Sequence, residues 1–256
     1  MTTISPAALA LIKSFEGDPP PRHPEWPGGD SGITLGYGSD IGADPAAMTR
    51  WKPFITDADF RRLDAVKGLT GDAAALAQPS VADIVISQEA SDAVFAAEME
   101  VYAETTLSTF PGSEALPADS FGALVSLVFN RGGSLQGPRR SEMLAIHDVL
   151  LSGPDHWVAI INLLAAMVRL WNNGVPTTSN LPGRRLCEAA LFAQGLDSIG
   201  LLPPGALYVG RSGAAVQNVQ SIVKATPDGK FGRGTMLAVW SYQHRINEPQ
   251  TGVWMP

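Results

Sequence analysis

ISPAALALIKSFEG (4–17) and SGITLGYGSD (31–40), joined by a proline- and glycine-rich loop, decide how this chain is read. Ser5 is placed to cap a helix whose first position is Pro6, where a fixed φ and a missing N–H cost nothing. Ala8, Leu11, Ile12 and Phe15 recur at helical spacing, and Gly17 can supply the left-handed residue that ends the helix. Glu16 is therefore expected at a helix C-terminus. The macrodipole there disfavours negative charge, so an acid held at this place suits proton donation.

The second stretch reads as one strand. Alternation then puts Thr34, Gly36, Gly38 and Asp40 on one face, and Ile33, Leu35, Tyr37 and Ser39 on the other, with the apolar members toward a core. Two glycines between two polar residues leave a bare strip of backbone against which a flat ring can lie. The same pattern also fits an edge strand twisted by its glycines, with solvated acids beside it.

The order helix-FEG, loop, SGITLGYGSD resembles the phage-type lysozymes of glycoside hydrolase family 24, particularly the branch of endolysins and pesticin-like muramidases. FGALVSLVFNRGG (121–133), GPRRSEM (137–143), RLWN (169–172) and LPGRRLCEAALF (181–192) resemble the family's helical lobe and follow in its order. The resemblance implies an α+β, mostly helical fold: a lysozyme-like catalytic lobe with a small glycine-rich β-hairpin region. It also implies an inverting muramidase that hydrolyses the β-1,4 bond between N-acetylmuramic acid and N-acetylglucosamine. In that reaction Glu16 protonates the leaving oxygen, while Asp40 and Thr34 hold a water on the opposite face of the sugar. Two carboxyls in such a mechanism stand roughly 6.5 to 9.5 Å apart.

By the same resemblance Asn130, Arg184 and Tyr37 are substrate-binding positions, with Arg184 beside Glu16. From the residues alone, Asn130 also fits the end of a helix and Arg184 an ordinary surface arginine. Arg184 and Arg185 follow Pro182-Gly183 at a helix start, where the dipole disfavours cations, so a nearby group should want their charge. Arg139 and Arg140 read as structural or wall-facing. Two aspartates compete for the second acid. Asp40, six residues after Thr34, shares its face, and Asp30, four residues before it in WPGGDSG, is the reserve.

The net charge of −7 over 256 residues leaves no basic footprint for nucleic acid, and it argues against holding a wall or membrane by charge alone. Cys187 is the only cysteine, so no intrachain disulfide forms, and within RRLCEAALF it reads as a small core residue. His23, His147, His156 and His244 lack HxxxH or HExxH spacing, so neither a metal nor another cofactor is expected. No Ser-His-Asp set can be assembled from sequence either. The N-terminus lacks the basic region and long apolar run of a signal peptide. Trp157 to Val168 contains Asn162, is too short to span a bilayer, and reads as a buried helix. The expectation is a monomer made in the host cytoplasm that acts in the periplasm after release by a holin or a secretion machine.

Leu201-Leu202-Pro203-Pro204-Gly205 interrupts the helical pattern, which suggests a domain of residues 1–202 followed by one of 203–256. The second stretch resembles the type 1 peptidoglycan-binding domain, a small three-helix module. The likeness rests on Val209, Gly210, Gly213, Val216, Val219 and Gln220, then DGKFG at 228–232, and Ala238, Val239, Tyr242 and Gln243. Asp228-Gly229 signals a turn, and Thr235 is a candidate cap for the next helix. Bacterial peptidoglycan is the partner this implies, unless these helices only pack on the first domain. Two rival activities remain: a lytic transglycosylase using Glu16 alone, and a non-catalytic wall-binding or phage structural protein.

Overall fold

A computed structural model describes residues 3–171 and 175–256, so Asn172 of the RLWN motif lies outside the described residues. The fold is α+β and mostly helical. Helix α1 (Pro6–Glu16) is followed by the hairpin strands β1 (Thr34–Leu35) and β2 (Ser39–Asp40). Then come α2 (Ala47–Trp51), α3 (Asp57–Asp64), α4 (Gly71–Ala77) and the long α5 (Gln88–Thr109). The rest of the chain carries α6 (Ala118–Arg131), α7 (Ser141–Ser152), α8 (Val158–Ala166), α9 (Leu181–Ser198), α10 (Ala214–Val223) and α11 (Arg233–Arg245). Two compact units divide it: Glu16–Val101, and Met1–Phe15 with Tyr102–Pro256.

The hairpin unit, Glu16–Val101, owes its order to one apolar cluster. Ile33, Leu35 and Ile41 from the hairpin region meet Met48, Trp51, Leu63, Val81, Ile86 and Val94. Each such side chain contributes about 1.5–3 kcal/mol when fully buried. Local signals agree with the packing, since Thr56 caps α3 by accepting the Asp59 amide and also donates to its carboxylate.

The helical unit is built on α6 and α9. Every residue from Ser120 to Val128 in α6 and from Pro182 to Ala193 in α9 is buried, so both helices are covered on all sides. Small residues let them approach. A Cβ on Gly195 would fall 2.2 Å from Ser120 Oγ, and one on Gly122 would fall 2.3 Å from the Ala8 methyl of α1. Ser120 Oγ also donates to the Phe192 carbonyl at 2.8 Å. Ser5 caps α1 by accepting the Ala8 amide at 3.1 Å. Within the Trp157–Val168 stretch, α8 buries Ile160, Ile161, Leu164 and Ala165 and exposes Asn162. No described helix is long and apolar enough to cross a membrane.

Residues 203–256 do not separate from this unit at the Pro-Pro-Gly punctuation. Asp197 of α9 accepts the Tyr208 hydroxyl at 3.0 Å and pairs with Arg211. Arg233 donates to the Thr178 carbonyl at 2.9 Å and to Ser14 Oγ at 2.8 Å. The module has two helices, α10 and α11, in place of the expected three, and its tail runs extended where Leu207 and Trp254 exchange backbone hydrogen bonds. Asp228-Gly229 does turn, with Gly229 at φ +73°. Gln220, buried on α10, holds that turn by donating to Asp228 and the Lys230 carbonyl and by accepting the Gly229 amide. Thr235 is not a cap. Gly232 occupies the N-cap of α11, and Thr235 lies inside its first turn, where it accepts from Gln220.

The α6–α9 crossing gives a direct test. Gly195→Ala must displace Ser120, and overpacking of this kind costs about 1–3 kcal/mol. A lower Tm with an unchanged helical circular dichroism spectrum is the expected result.

Candidate functional site

The GYG segment turns a hairpin instead of continuing a strand. Gly36 (φ +55°) and Gly38 (φ +89°) both take left-handed backbone, and Tyr37 sits at the tip between them. A side chain at Gly36 would also press on Trp51 and Ser91, 3.0 Å from its Cβ. The Tyr37 side chain folds inward. It is 3% exposed, its ring packs on Phe95, and its hydroxyl donates to Asp18 at 3.2 Å while accepting from Gln88 at 2.8 Å. Tyr37 thus anchors the tip, which corrects its reading as a sugar-contacting surface. Glu16, half-buried, ends α1, and Gly17 follows at φ +92°. Asp18 is two residues past Glu16, so the contact to Tyr37 keeps the Glu16 backbone within about 7 Å of the backbone carrying that bond.

Thr34 and Asp40 face the same way because they are cross-strand partners in the hairpin register, not because they alternate along one strand. A third residue joins them. Glu25 and Thr34 exchange both backbone bonds, at 2.8 and 3.0 Å, as an antiparallel bridge. Both backbone groups of Thr34 are then used by Glu25, so Thr34 and Asp40 form the closer, non-hydrogen-bonded type of pair, with Cα atoms about 4.5 Å apart. Glu25, Thr34 and Asp40 make one row, opposite the face where Ile33, Leu35 and Ile41 enter the core.

The two carboxylates in the row differ. Asp40 Oδ1 accepts the amides of Gly42 and Ala43, each at 2.9 Å, and Oδ2 accepts the Gly32 amide at 3.0 Å. Of the roughly four acceptor positions of a carboxylate, three are filled by backbone. Gly32 has no room for anything larger, since its Cβ would lie 2.3 Å from Asp40 Oδ1 and 2.4 Å from Gly42 Cα. Thr34 is 8% exposed. Glu25 is exposed and its carboxylate forms no ion pair among the described residues. Asp30 is exposed in the loop and lies outside the row. Sequence reading missed Glu25 because its pairing spans a loop with no periodicity to read.

Behind the hairpin, Ser39 Oγ donates to Glu98 at 2.6 Å and accepts the Trp51 indole N–H at 3.0 Å, and Arg50 bridges Glu98 and Asp44. Burial raises the Glu98 carboxyl above its usual range despite Ser39 and Arg50. A carboxyl raised in the fold binds more protons there than when unfolded, so its contribution is largest at acidic pH and is lost as pH rises through its folded value. Glu98→Gln, which still accepts from Ser39, should therefore match or exceed the wild-type Tm at pH 7. The difference should close near about pH 4, where Glu98 itself is protonated.

In the helical unit, Arg184 is 1% exposed and is no surface arginine. It donates to Ser126 Oγ and the Ser126 carbonyl, pairs with Glu188 at 3.3 Å, and lies over the rings of Phe15 and Phe129. Arg185 pairs with the same Glu188 oxygen at 2.9 Å, and Ser126 Oγ donates to it at 2.7 Å. Glu188 is the group that wants the charge at this helix start. Its i+4 and i+3 spacing from the two arginines was there to be read. Burial lowers Arg185 to about 10. Asn130 accepts from Arg185 at 3.2 Å, so its side chain is partly held by the cluster. Asn180 caps α9 by accepting the Gly183 amide. Cys187 is buried, and burial pushes its thiol up to about 11, which leaves little thiolate at neutral pH.

Among the described residues no group of three or more His, Cys, Asp or Glu side chains could hold a metal ion. No protein-family model matches the chain, and no curated protein does. The charged cluster is testable by itself. Glu188→Ala removes the buried carboxylate oxygen that Arg184 and Arg185 share, and breaking a buried pair costs about 3–5 kcal/mol, so urea denaturation should show an early midpoint.

Proposed function

We propose that this chain is a lysozyme-like muramidase that hydrolyses the β-1,4 bond between N-acetylmuramic acid and N-acetylglucosamine. The observation that carries the reading is the row Glu25–Thr34–Asp40 on the face of the hairpin turned away from its core, with the hairpin tip tied to Asp18, two residues beyond the helix-terminal Glu16. The resemblance of the surrounding motifs to phage-type lysozymes supports it. Peptidoglycan is the partner, and the DGKFG module adds wall binding. A protein made in the cytoplasm would reach this polymer in the periplasm through a holin or a secretion system.

Glu16 gives its proton to the leaving glycosidic oxygen. A water on the opposite face of the sugar attacks the anomeric carbon and loses its own proton to the second carboxylate. Thr34 Oγ1 orients that water. Asp40 has most of its acceptor positions filled by backbone amides and braces the loop beneath Thr34. Glu25 is exposed and its carboxylate has no ion pair among the described residues, so it takes the proton.

Glu16→Gln cannot donate a proton, and loss of lysis of purified sacculi by about a hundredfold or more is expected, with Tm unchanged. Retention of a tenth of the activity would remove Glu16 from the mechanism. The released sugars report the reaction type. Reducing muramic ends support hydrolysis, while anhydro ends would assign a transglycosylase.

The two row acids separate by a paired measurement. Glu25→Gln should lose activity at unchanged Tm. Asp40→Asn turns an N–H donor toward a backbone N–H and should lower activity and Tm together. Full activity in Glu25→Gln alongside a dead but stable Asp40→Asn would return the base to Asp40.

A further inference from the structure

A second cluster of charge lies in the helical unit, at the end of α6 and the start of α7. Asn130, Arg131, Arg139, Arg140, Trp171 and Leu181 line a cavity of about 360 Å³. Three of the six are arginines and none is acidic, in a chain whose net charge is −7. Two of them are fixed by the loop they close. Arg131 donates to the Arg139 carbonyl at 2.5 Å, and Arg140 donates to the Arg131 carbonyl. Arg131 Nε is buried with no hydrogen-bond partner among the described residues, and its guanidinium lies over the Trp171 ring. Arg139 is exposed, and its guanidinium makes no hydrogen bond or ion pair among the described residues.

Glu142 and Glu188 act on Arg131 through space, but neither lines the cavity. Glu142, nearest in sequence, is held by Arg169 at 2.5 and 3.0 Å and by Ser141. Arg139 and Arg140 also precede the N-terminus of α7, where the dipole adds further positive potential. Burial first, then Arg140 and Arg139, lower Arg131 from its ordinary value, against the opposing pull of Glu142 and Glu188. Gathering three cations against a cavity with no acidic lining residue raises the free energy of the empty site, and an incoming anion lowers it.

We propose that this cavity binds a carboxylate of the peptidoglycan stem peptide. The proposal rests on the muramidase reading for the identity of the peptide, though not for the oxyanion chemistry. Guanidinium forks match carboxylates bidentately. Trp171 and Leu181 supply an apolar wall that suits the methyl groups of a peptide and that a bare inorganic anion would not use. The cavity is near the lower end of the roughly 300–1,000 Å³ range of small-ligand sites, which fits one or two residues.

The test titrates the full chain by calorimetry with three probes: the stem tripeptide L-Ala-γ-D-Glu-L-Lys, its fully amidated form, and inorganic phosphate. The free acid should bind at least about tenfold more tightly than the amidated peptide or phosphate, and binding should weaken with salt. Arg139→Ala removes an exposed guanidinium with no partner among the described residues, so it should fold normally and lose tenfold or more in affinity. Equal binding of acid and amide, no binding of the acid, or an unaffected Arg139→Ala would each overturn the proposal. Phosphate binding as tight as the peptide would make this an inorganic oxyanion site and also overturn it. Because no turnover is needed, carboxylate binding in a protein whose Glu16→Gln variant remains fully lytic would reject the catalytic assignment and leave the site standing. Lost lysis in that variant without carboxylate binding would do the reverse.

Discussion

The carboxylate of Asp40 is the joint on which the hairpin side of the molecule depends. It collects three backbone amides from two loops, those of Gly32 before β1 and of Gly42 and Ala43 after β2. The amides of Gly32 and Gly42 would otherwise be donors without partners in a partly buried place, each a loss of about 1–3 kcal/mol, while that of Ala43 is exposed to water. Glycine on either side is the steric condition for the joint, because a Cβ at Gly32 would collide with both the carboxylate and Gly42. With the loops closed in this way, the register Thr34↔Asp40 is fixed, and Thr34 is presented between Glu25 and Asp40 instead of slipping to the core side.

A different logic holds the helical unit. Two guanidiniums share one oxygen of Glu188 in a setting with no exposure to water. Such a cluster adds little net stability over well-packed apolar side chains, because desolvation of three charges offsets their attraction. Its effect is selection. Ser126 of α6 satisfies both Arg184 and Glu188 of α9 only in one register, and the rings of Phe15 and Phe129 accept the face of Arg184 in that same register. The close approaches at Gly195–Ser120 and Gly122–Ala8 then become possible at the positions where side chains are small.

What was legible in the sequence was local. Ser5, Gly17 and the buried Cys187 behave as their neighbours dictate, and the one-face relation of Thr34 and Asp40 survives although the strand does not. It survives because folding a strand at a three-residue tip brings residues i and i+6 opposite each other, and cross-strand partners share a face. The turn was hidden because Gly-Tyr-Gly is equally compatible with an extended strand until φ is known. Glu25 was hidden because a bridge across an irregular loop leaves no period. The Pro-Pro-Gly signal after Leu202 was real as a helix stop, but punctuation marks where regular structure ends and says nothing of where a hydrophobic surface is shared. Asp197, Tyr208 and Arg211 join across it.

The placement of cations follows the same division between local and long-range causes. Arg131 is the last residue of α6, where the carbonyl end of the helix favours a positive charge, so one of the three arginines around the cavity is explained by its own helix. Arg139 and Arg140 stand before α7, where the dipole opposes them, and the bond from Arg140 to the Arg131 carbonyl recovers part of that loss by closing the loop. A single staple does not need a second, unbonded guanidinium beside it. Arg139 has no ion pair or side-chain hydrogen bond among the described residues. An exposed cation before a helix N-terminus, where the dipole opposes it, beside a cavity with no acidic lining residue is what the proposed carboxylate site requires.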